Sequence, residues 1–421
     1  MSLVAISDLF NFEKGKLQSS KCVAGEYNFL TASAEWKTHN EYACDGEALV
    51  FAAAASGSLG RTHYVNGKFI ASDLCFIITP KDEKTYPIDL QFYHILFNDL
   101  KEDIVKNTKA GTSKEAIGLK SFGRYKLPYF ELEQQRQIKS KFIESNDLKN
   151  DLIIEQETQL THLKLLRQQI LTDAMQGKLD VPRAVGERGA DLLSRIQAEK
   201  AKTVKKAKPL SEIKADDIPF DIPKHWVWCR LGEVASEITY GTSEKAFLQG
   251  EIPVLRMGNI TTDGRILYSN LKYVSSQITD LPKLYLKNGD LIFNRTNSYE
   301  LVGKTGVFEN EKPYTLASYL IRVRFLDGIN SKFLSNYINS LLCRQTQIEP
   351  DIIQQNGQAN FNGTKLANII IPLPPLSEQT DIVHKIETLM AHCDELEASI
   401  RQNQEYTQML YQTSLREALQ G

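Results

Sequence analysis

The side chains best suited to chemistry in this sequence are amides and cations in short polar loops. One such loop, with the sequence NRTNS at residues 294–298, follows the apolar run Leu291–Phe293 and leads to Lys304. Arginine and lysine can donate to guanine O6 and N7, asparagine can pair with adenine, and hydroxyl groups can bind phosphates. These residue types predict a nucleic-acid contact, although a solvated turn is the alternative interpretation of any single loop.

Comparable loops occur elsewhere in the chain with different residues. The segment Ala52–Ser58, followed by Arg61, is smaller and less polar than residues 294–298. Residues 106–114 form a basic loop, and residues 354–365 form a loop rich in amides. Two domains of similar fold that bind different ligands would have loops at comparable places with different residues. The candidate DNA-binding residues are Arg61, Lys106, Lys109, Lys114, Arg256, Asn259, Asn294, Arg295, Asn297, Lys304, Asn360 and Lys365.

Catalytic motifs are missing from the sequence. The run Gly303-Lys304-Thr305 resembles the end of a phosphate-binding loop, but Ser298 stands where that motif requires glycine. No motif for a flipped adenine and no G-x-G-x-x-G after a strand is present. The histidines are scattered singly, and the six cysteines form no C-x-x-C pair. We therefore expect no enzyme activity, no metal and no cofactor in this chain.

Length and charge narrow the function further. The chain has 421 residues, enough for two or three domains, and its net charge is −2. This balance excludes a strongly basic nucleic-acid binder but allows local basic patches. The first residues have no basic region followed by an apolar one, and no apolar run is long enough to span a bilayer. We expect a cytoplasmic protein without a membrane contact.

The sequence contains an internal repeat. The segment that begins at Leu127-Pro128 matches the segment that begins at Ile371-Pro372, with an offset of 244 residues and no gap as far as Gly177 and Gly421. Identical pairs include Gln135 with Gln379. The upstream parts match more loosely, so each half is a variable globular region followed by a segment of fixed length.

The fixed-length segment is predicted to be one long helix in each half. Neither copy contains Gly or Pro in its interior. Apolar residues at spacings of four and three predict a coiled-coil seam, interrupted by polar residues at Gln156, Gln159, Asn403 and Thr407. The predicted seam residues are Ile138, Phe142, Leu152, Leu163, Leu166, Ile170, Ile382, Ile386, Leu389, Cys393, Leu396, Ile400 and Leu410. Two unrelated amphipathic helices are the alternative, which the gapless register disfavours.

The fold class predicted from these patterns is α+β. Two mixed α/β domains are expected, each followed by a long coiled-coil helix, and the two helices can pair with each other. Short β-rich runs such as Ala48–Phe51 and Ala367–Ile371 alternate with helical stretches, and Ala190–Lys202 could form a helix. The predicted segments are domain 1–130, helix 131–177, linker 178–224, domain 225–375 and helix 376–421.

The whole chain resembles a type I restriction–modification specificity subunit. The most specific stretches are residues 291–308 (LIFNRTNSYELVGKTGVF) and 371–379 (IPLPPLSEQ). The segment 222–226 (IPKHW), followed by RLGE at 230–233, resembles the usual start of a recognition domain in that family. The first half departs from the pattern, because it lacks this tryptophan segment and the Pro-Pro pair of the second half.

The resemblance implies a function in DNA recognition. Each domain would be a target-recognition domain that reads half of a split, asymmetric double-stranded DNA target. The two long helices, antiparallel and related by a pseudo-two-fold repeat, would separate these domains and act as a spacer. Two methyltransferase subunits would supply S-adenosylmethionine and adenine methylation. Two restriction subunits, where present, would supply ATP-driven and Mg-dependent cleavage. The chain itself would be a non-catalytic subunit that holds no cofactor.

Two other classes of protein remain open at this stage. A stand-alone double-stranded DNA-binding regulator would need enough basic charge to bind DNA alone, which the net charge of −2 disfavours. A coiled-coil scaffold that binds proteins through its globular ends would have no salt-dependent affinity for DNA. DNA binding, measured with and without a methyltransferase partner, distinguishes the three classes.

Overall fold

The computed structural model describes residues 2–54, 57–110, 116–184, 186–203, 210–355 and 357–420. The chain divides into two compact units, each containing one globular domain and part of both long helices. The first unit comprises residues 1–156 and 402–421, and the second comprises residues 157–401. Candidate Lys114 lies outside the described residues.

The first unit is built on a six-stranded sheet in the order β2-β7-β5-β6-β3-β4, antiparallel except for the β3–β6 pair. Strands β1 and β10 form a separate antiparallel pair. Its elements are β1 Ser2–Ala5, α1 Ile6–Leu9, β2 Phe10–Lys14, β3 Tyr27–Leu30, β4 Lys37–His39, β5 Cys44–Ala52, β6 Thr62–Ala71, β7 Cys75–Pro80, α2 Leu90–Asp99, α3 Lys101–Thr108, β8 Lys109–Ala110, β9 Ala116–Ile117, α4 Leu119–Arg124, β10 Lys126–Tyr129 and the first part of α5 Leu132–Met175.

The second unit repeats this plan. Its elements are the rest of α5, α6 Gly189–Thr203, β11 Val227–Arg230, α7 Leu231–Val234, β12 Ala235–Tyr240, β13 Ile252–Leu255, β14 Lys272–Val274, α8 Leu281–Leu284, β15 Leu291–Asn294, β16 Thr296–Asn297, β17 Thr305–Val307, β18 Thr315–Leu316, β19 Leu320–Phe325, α9 Ser331–Asn339, α10 Leu341–Cys343, β20 Ile353–Gln355, β21 Gln358–Asn360, α11 Gly363–Asn368, β22 Ile370–Leu373 and α12 Leu376–Gln420, whose end belongs to the first unit.

Sheet order shows the duplication directly. Strands β12-β19-β15-β17 and β18-β13-β14 reproduce the six-stranded order, with β17 and β18 in the place of the single strand β6. Strand β13 pairs in parallel with β18, as β3 does with β6. The β11–β22 pair corresponds to β1–β10. Both domains are therefore mixed α/β structures with one topology, as the fold class predicted.

Each domain has its own apolar core. In the first unit, aromatic rings fill the space between the sheet and the helices, with Phe51, Phe97 and Phe122 fully buried. In the second unit, strands β15 and β19 are buried along their central residues. Burial of these side chains is the main force that holds each domain together. No helix in the described part of the chain is long and apolar enough to cross a bilayer.

The two long helices match the predicted segments closely. Helix α5 ends just before Gly177, which has a φ of +66° and would place an added Cβ atom 2.4 Å from the ring of Pro223. Glycine is therefore required at this helix end.

The helices pair antiparallel in both units. In the first unit, Gln156 donates to Thr407 at 3.2 Å, so two of the predicted polar interruptions bond to each other. In the second unit, Arg167 of α5 lies 2.7 Å from Asp394 and 3.2 Å from Glu397 of α12. Residue numbers rise along α5 from Gln156 to Arg167, while those of their partners fall along α12 from Thr407 to Asp394. The two helices are therefore antiparallel.

Part of the predicted seam is wrong. Four leucines assigned to it are exposed: Leu152 at 42%, Leu166 at 46%, Leu396 at 53% and Leu410 at 70%. In contrast, Leu163, Ile170, Ile382, Ile386 and Cys393 are buried as expected. The exposed leucines form two identical pairs in the repeat, 152 with 396 and 166 with 410. The repeat therefore preserves an outward apolar position as well as an inward one.

Residues 178–224, predicted as a linker, contain an ordered helix. Helix α6 covers the predicted helical stretch, and its Leu192 and Ile196 are fully buried in the second unit. The buried Arg230 side chain donates to the carbonyls of Ser211 and Glu212 and so attaches the following segment to the domain. The predicted linker is therefore held against the domain where it is described, and residues 204–209 lie outside the described part.

One buried glutamine joins each domain to its long helix. Gln135 of α5 donates to the carbonyls of Phe130 and Pro87 at 2.7 and 2.9 Å and accepts from the Asp89 amide at 2.8 Å. Asp89 in turn caps α2.

Gln379 of α12 makes the equivalent three bonds in the second unit. It donates to the carbonyls of Pro374 and Gly328 at 2.9 and 3.3 Å, and it accepts from the amide of Asn330, which caps α9, at 2.8 Å. The identical residue found in the sequence repeat is thus an identical structural joint.

Candidate nucleic-acid interface

The first predicted loop occupies the same place in both domains. In the first unit, the Gly60 amide donates to the Ala52 carbonyl at 2.8 Å, and the Ala52 amide donates to the Arg61 carbonyl at 2.8 Å. In the second unit, Gly303 and Asn294 make the first of these bonds at 2.9 Å, and Asn294 and Lys304 make the second at 3.0 Å. Ala52 therefore corresponds to Asn294, and Arg61 corresponds to Lys304.

An asparagine from the neighbouring helix holds each loop in position. Asn98 of α2 accepts from the Thr62 amide at 3.1 Å and donates to the Thr62 carbonyl at 2.9 Å. Asn339 of α9 makes the same two bonds to Thr305, at 2.9 and 2.7 Å. The segment after Lys304 is strand β17, not a helix, so the loop lacks the strand–loop–helix context of a nucleotide-binding loop.

A second hairpin packs beside this loop in both domains. The Phe361 amide donates to the Arg295 carbonyl at 2.9 Å, and the Ile117 amide donates to the Ala53 carbonyl at 2.8 Å. In the second unit, β16 extends the β20–β21 hairpin into a three-stranded ribbon. The two polar loops predicted separately from sequence, residues 294–298 and 354–362, thus lie side by side, with Asn356 outside the described residues.

The third loop follows β3 in the first unit and β13 in the second. In the second unit, Asn259 is buried and donates to the carbonyls of Leu267 and Ser269 while accepting from the Arg256 amide. Arg256 donates to the Asn270 carbonyl at 2.6 Å. Both candidates hold the loop in shape. The Asn259 amide is fully used by the protein, whereas Arg256 Nε is buried without a partner among the described residues.

Several other candidates also bond within their own domain. Arg61 donates to the Ala32 carbonyl at 3.0 Å, and Asn360 accepts from the Thr296 hydroxyl at 2.8 Å. Asn297 accepts from the Ser298 amide, and Lys365 donates to the Asp351 carbonyl. Because these groups already have partners, a nucleic acid would have to replace or share those bonds.

Two consecutive residues, Asn294 and Arg295, leave buried polar groups without a partner in the second unit. Asn294 is fully buried, and neither atom of its amide bonds to a described residue. Arg295 stacks on the Tyr240 ring at 4.9 Å and donates to the Ser318 carbonyl at 3.4 Å, but its Nε is unpaired. Unpaired polar groups in a protein interior are costly, and they are frequent where a ligand completes the site.

Lys304 is the clearest free cation of this loop. It is partly buried, and burial lowers the pKa of its ammonium group. Its ammonium makes no ion pair or hydrogen bond with the described part of the chain. A partly desolvated cation without an anionic partner gains most from a phosphate, because the phosphate supplies the missing charge.

The remaining candidates are more open to solvent. Lys106 and Lys109 are exposed near the first unit's hairpin. Gln354 and Gln358 are exposed on the β20–β21 ribbon, and both belong to the amide-rich loop that the sequence singled out. A two-stranded ribbon of this kind fits the width of a DNA major groove, where glutamine can pair with adenine.

A family comparison connects this geometry to known proteins. The family model described as "Type I restriction modification DNA specificity domain" matches residues 1–162 and 223–405. The chain belongs to this family. The described candidate residues all fall within the two matched ranges. The two matches also follow the duplication seen in the fold, because each range contains one domain and most of one long helix.

Relatives of this specificity-domain chain are named as specificity subunits of type I restriction enzymes. The EcoAI specificity subunit of Escherichia coli is 28% identical over 251 residues, which cover 56% of this chain and 41% of that protein. The EcoEI subunit, also from Escherichia coli, is 27% identical over 57% of this chain and 42% of that protein. The chain therefore spans less than half the length of these two relatives.

A longer alignment and two solved structures extend the similarity. The EcoDI specificity subunit of Escherichia coli is 23% identical over 99% of this chain and 87% of that protein. The HsdS subunit from Thermoanaerobacter tengcongensis has 17% identity and a TM-score of 0.51, covering 100% of this chain and 96% of that one. A structure from work on type I R-M complex assembly has 17% identity and a TM-score of 0.58, covering 99% and 97%. At these identities the structures support the fold.

Proposed function

We propose that this chain is the DNA specificity subunit of a type I restriction–modification complex. Each domain would read one half of a split, asymmetric double-stranded DNA target. The observation that carries this proposal is the pair of matched loops, in which one backbone arrangement places Arg61 in one domain at the position that Lys304 takes in the other. Two loops with the same backbone hydrogen bonds but different side chains would be suited to recognise two different DNA sequences.

The proposal assigns no chemical step to this chain. S-adenosylmethionine, ATP and Mg would be held by partner subunits, and the complex would act in the cytoplasm. With a net charge of −2, the chain alone has little charge to neutralise DNA phosphates, so partner subunits would supply much of that attraction.

Two copies of a methyltransferase subunit are the proposed protein partners, with two restriction subunits in complexes that also cleave. Support comes from the exposed leucines of the long helices, Leu152, Leu166, Leu396 and Leu410. Large apolar side chains exposed on a helix often mark a contact with another protein. Because each of these leucines occurs at the same position in both copies of the repeat, the partner would dock twice in an equivalent way.

Exchange of one domain tests the two-reader proposal. We expect that replacing residues 1–130 with the corresponding domain of a relative changes one half of the methylated sequence and leaves the other half unchanged. The measurement is the mapping of methylated adenines in DNA from cells that express the chain with its methyltransferase. The chain without a methyltransferase should give no methylation. A change in both half-sites would contradict the assignment of one half-site to each domain.

Substitution of Lys304 tests the loop of the second domain. Lys304→Met keeps the apolar stem but removes the charge, and we expect target affinity to fall roughly tenfold, the size of a charge-assisted phosphate contact of about 1.5 kcal/mol. The salt dependence of binding should also become shallower by about one phosphate contact. Lys312→Met, an exposed lysine of the same domain, is the control. Equal affinities and equal salt slopes for Lys304→Met and the unmodified complex would remove Lys304 from the interface.

A further inference from the structure

Arg61, which directly precedes β6, and His63 of β6 hold the loop that follows β3 in the first unit. Arg61 donates to the Ala32 carbonyl at 3.0 Å, and His63 Nε2 lies 2.8 Å from the Ser33 carbonyl. The indole Nε1 of Trp36 donates to His63 Nδ1 at 3.2 Å, with the two rings edge-to-face at 6.0 Å. The loop is therefore fixed at three points, although residues 33–36 are all exposed.

These bonds define the protonation state of His63. Nδ1 accepts from Trp36, so Nε2 must carry the hydrogen that is donated to Ser33, and the ring is neutral. Burial is the main cause that lowers the pKa of His63, which agrees with a neutral ring. Because the only polar atom of the Trp36 side chain is used internally, the exposed part of that side chain is apolar.

Trp36 is 41% exposed despite being fixed in this way. A large aromatic ring that is both exposed and held rigid loses little conformational entropy on binding, so it is suited to contact a ligand. Arg61 joins this loop to the loop before β6, because the same guanidinium also lies 3.4 Å from the Ser58 hydroxyl. The corresponding loop of the second unit carries Arg256 and Asn259, so the position is one of the three loops of the candidate interface in both domains.

We infer that Trp36 contacts DNA in the half-site read by the first domain, packing its ring against an apolar group of the duplex. The available groups are the thymine methyl in the major groove and the deoxyribose. His63 is the positioning residue, since it orients the indole and ties the loop to β6. This inference rests on the proposed function and adds a contact that a search for cations and amides does not find.

The test uses the full chain assembled with its methyltransferase subunits and a duplex that contains the mapped target. We expect Trp36→Ala to weaken target binding about tenfold, and Trp36→Phe, which keeps an apolar ring, to weaken it much less. Tyr42→Ala is the matched control, because Tyr42 is a similarly exposed aromatic residue at 44% whose ring packs on Tyr27, at the opposite end of β3 from the loop. Duplexes with deoxyuridine in place of each thymine distinguish a methyl contact from a sugar contact.

The role of His63 is tested by non-additivity and rescue. His63→Leu removes both bonds to the loop and should weaken binding severalfold, whereas His63→Gln, which can both accept and donate, should restore most of it. In the Trp36→Ala background, His63→Leu should cause little further loss, because the indole that it orients is already absent. A merely structural histidine would give the same loss in both backgrounds.

The possible results separate this inference from the function on which it rests. An assembled wild-type complex that neither binds nor methylates any split target would overturn the proposed function itself. A wild-type complex with a mapped target, together with an unchanged Trp36→Ala variant, would overturn only the contact by Trp36. Loss of methyltransferase assembly in Trp36→Ala would also overturn it, because the ring would then face a protein.

Discussion

Replacing Gln379 with leucine should destabilise the second unit by about 3 kcal/mol, because it removes three hydrogen bonds from a buried joint. The side chain is fully buried, and leucine can neither donate to the carbonyls of Pro374 and Gly328 nor accept from the Asn330 amide. The amide of Asn330 would lose its partner at the residue that caps α9. Gln135→Leu should act in the same way on the first unit.

Guanidinium unfolding followed by tryptophan fluorescence measures this effect. In a Trp36→Phe background, the remaining tryptophans, Trp226 and Trp228, both report on the second unit. Gln169→Leu makes the same chemical change at an exposed position of the same unit, and it should cost no more than about 0.5 kcal/mol. Equal unfolding midpoints for Gln379→Leu and Gln169→Leu would show that the buried glutamine contributes no more to stability than an exposed one.

The long helices could be predicted because their signal is local. A stretch without Gly or Pro and with regular apolar spacing has few alternatives to a helix, and observed helices Leu132–Met175 and Leu376–Gln420 agree with the prediction. Spacing alone could not tell the inward face from an outward apolar face. Leu152 and Leu410 have the spacing of seam residues, although both are exposed. The predicted strand Ala367–Ile371 is wrong at its start, since α11 continues to Asn368.

The candidate site was predictable in its loops but not in its side chains. The sequence places Arg61 and Lys304 at the ends of comparable loops, and the backbone bonds show that the two positions are equivalent. Whether a donor is free depends on partners that are distant in sequence, which composition does not reveal. Asn259 is occupied by carbonyls across its loop, and Trp36 is fixed by a histidine 27 residues away.

The start of the second domain shows the same limit. Glu378 is buried and accepts from the Trp226 indole at 3.1 Å, and it lies 2.8 Å from His225 Nε2. The first half has Gln134 at the position of Glu378 and lacks the tryptophan segment. The missing tryptophan segment and the change from glutamate to glutamine are therefore linked, since in the second half the carboxylate and the indole bond to each other.

Lengthening both long helices by three heptads should move the preferred gap between the two half-sites by about nine base pairs. Twenty-one residues add about 31.5 Å at 1.5 Å per residue, and each base pair accounts for about 3.4 Å. The insertions belong between Gln159 and Leu160 in α5 and between Asn403 and Gln404 in α12. These positions preserve the bond from Gln156 to Thr407 and the ion pairs of Arg167, because the two partners of each pair lie on the same side of the inserted segments.

The length of the insertion matters because DNA is helical. About nine base pairs is close to one turn of the duplex, so both half-sites would still face the same side. A single heptad adds only about three base pairs and turns the second half-site by roughly a third of a turn, which should reduce methylation even at the longer gap. Methylation is measured on substrates whose gap increases by one base pair at a time, with the insertion in α5 alone as the control for unequal helices. In this proposal, helix length determines the distance between the half-sites and leaves both half-site sequences unchanged. A folded, active double-insertion variant that kept the original gap would therefore show that the helix pair does not set the spacing.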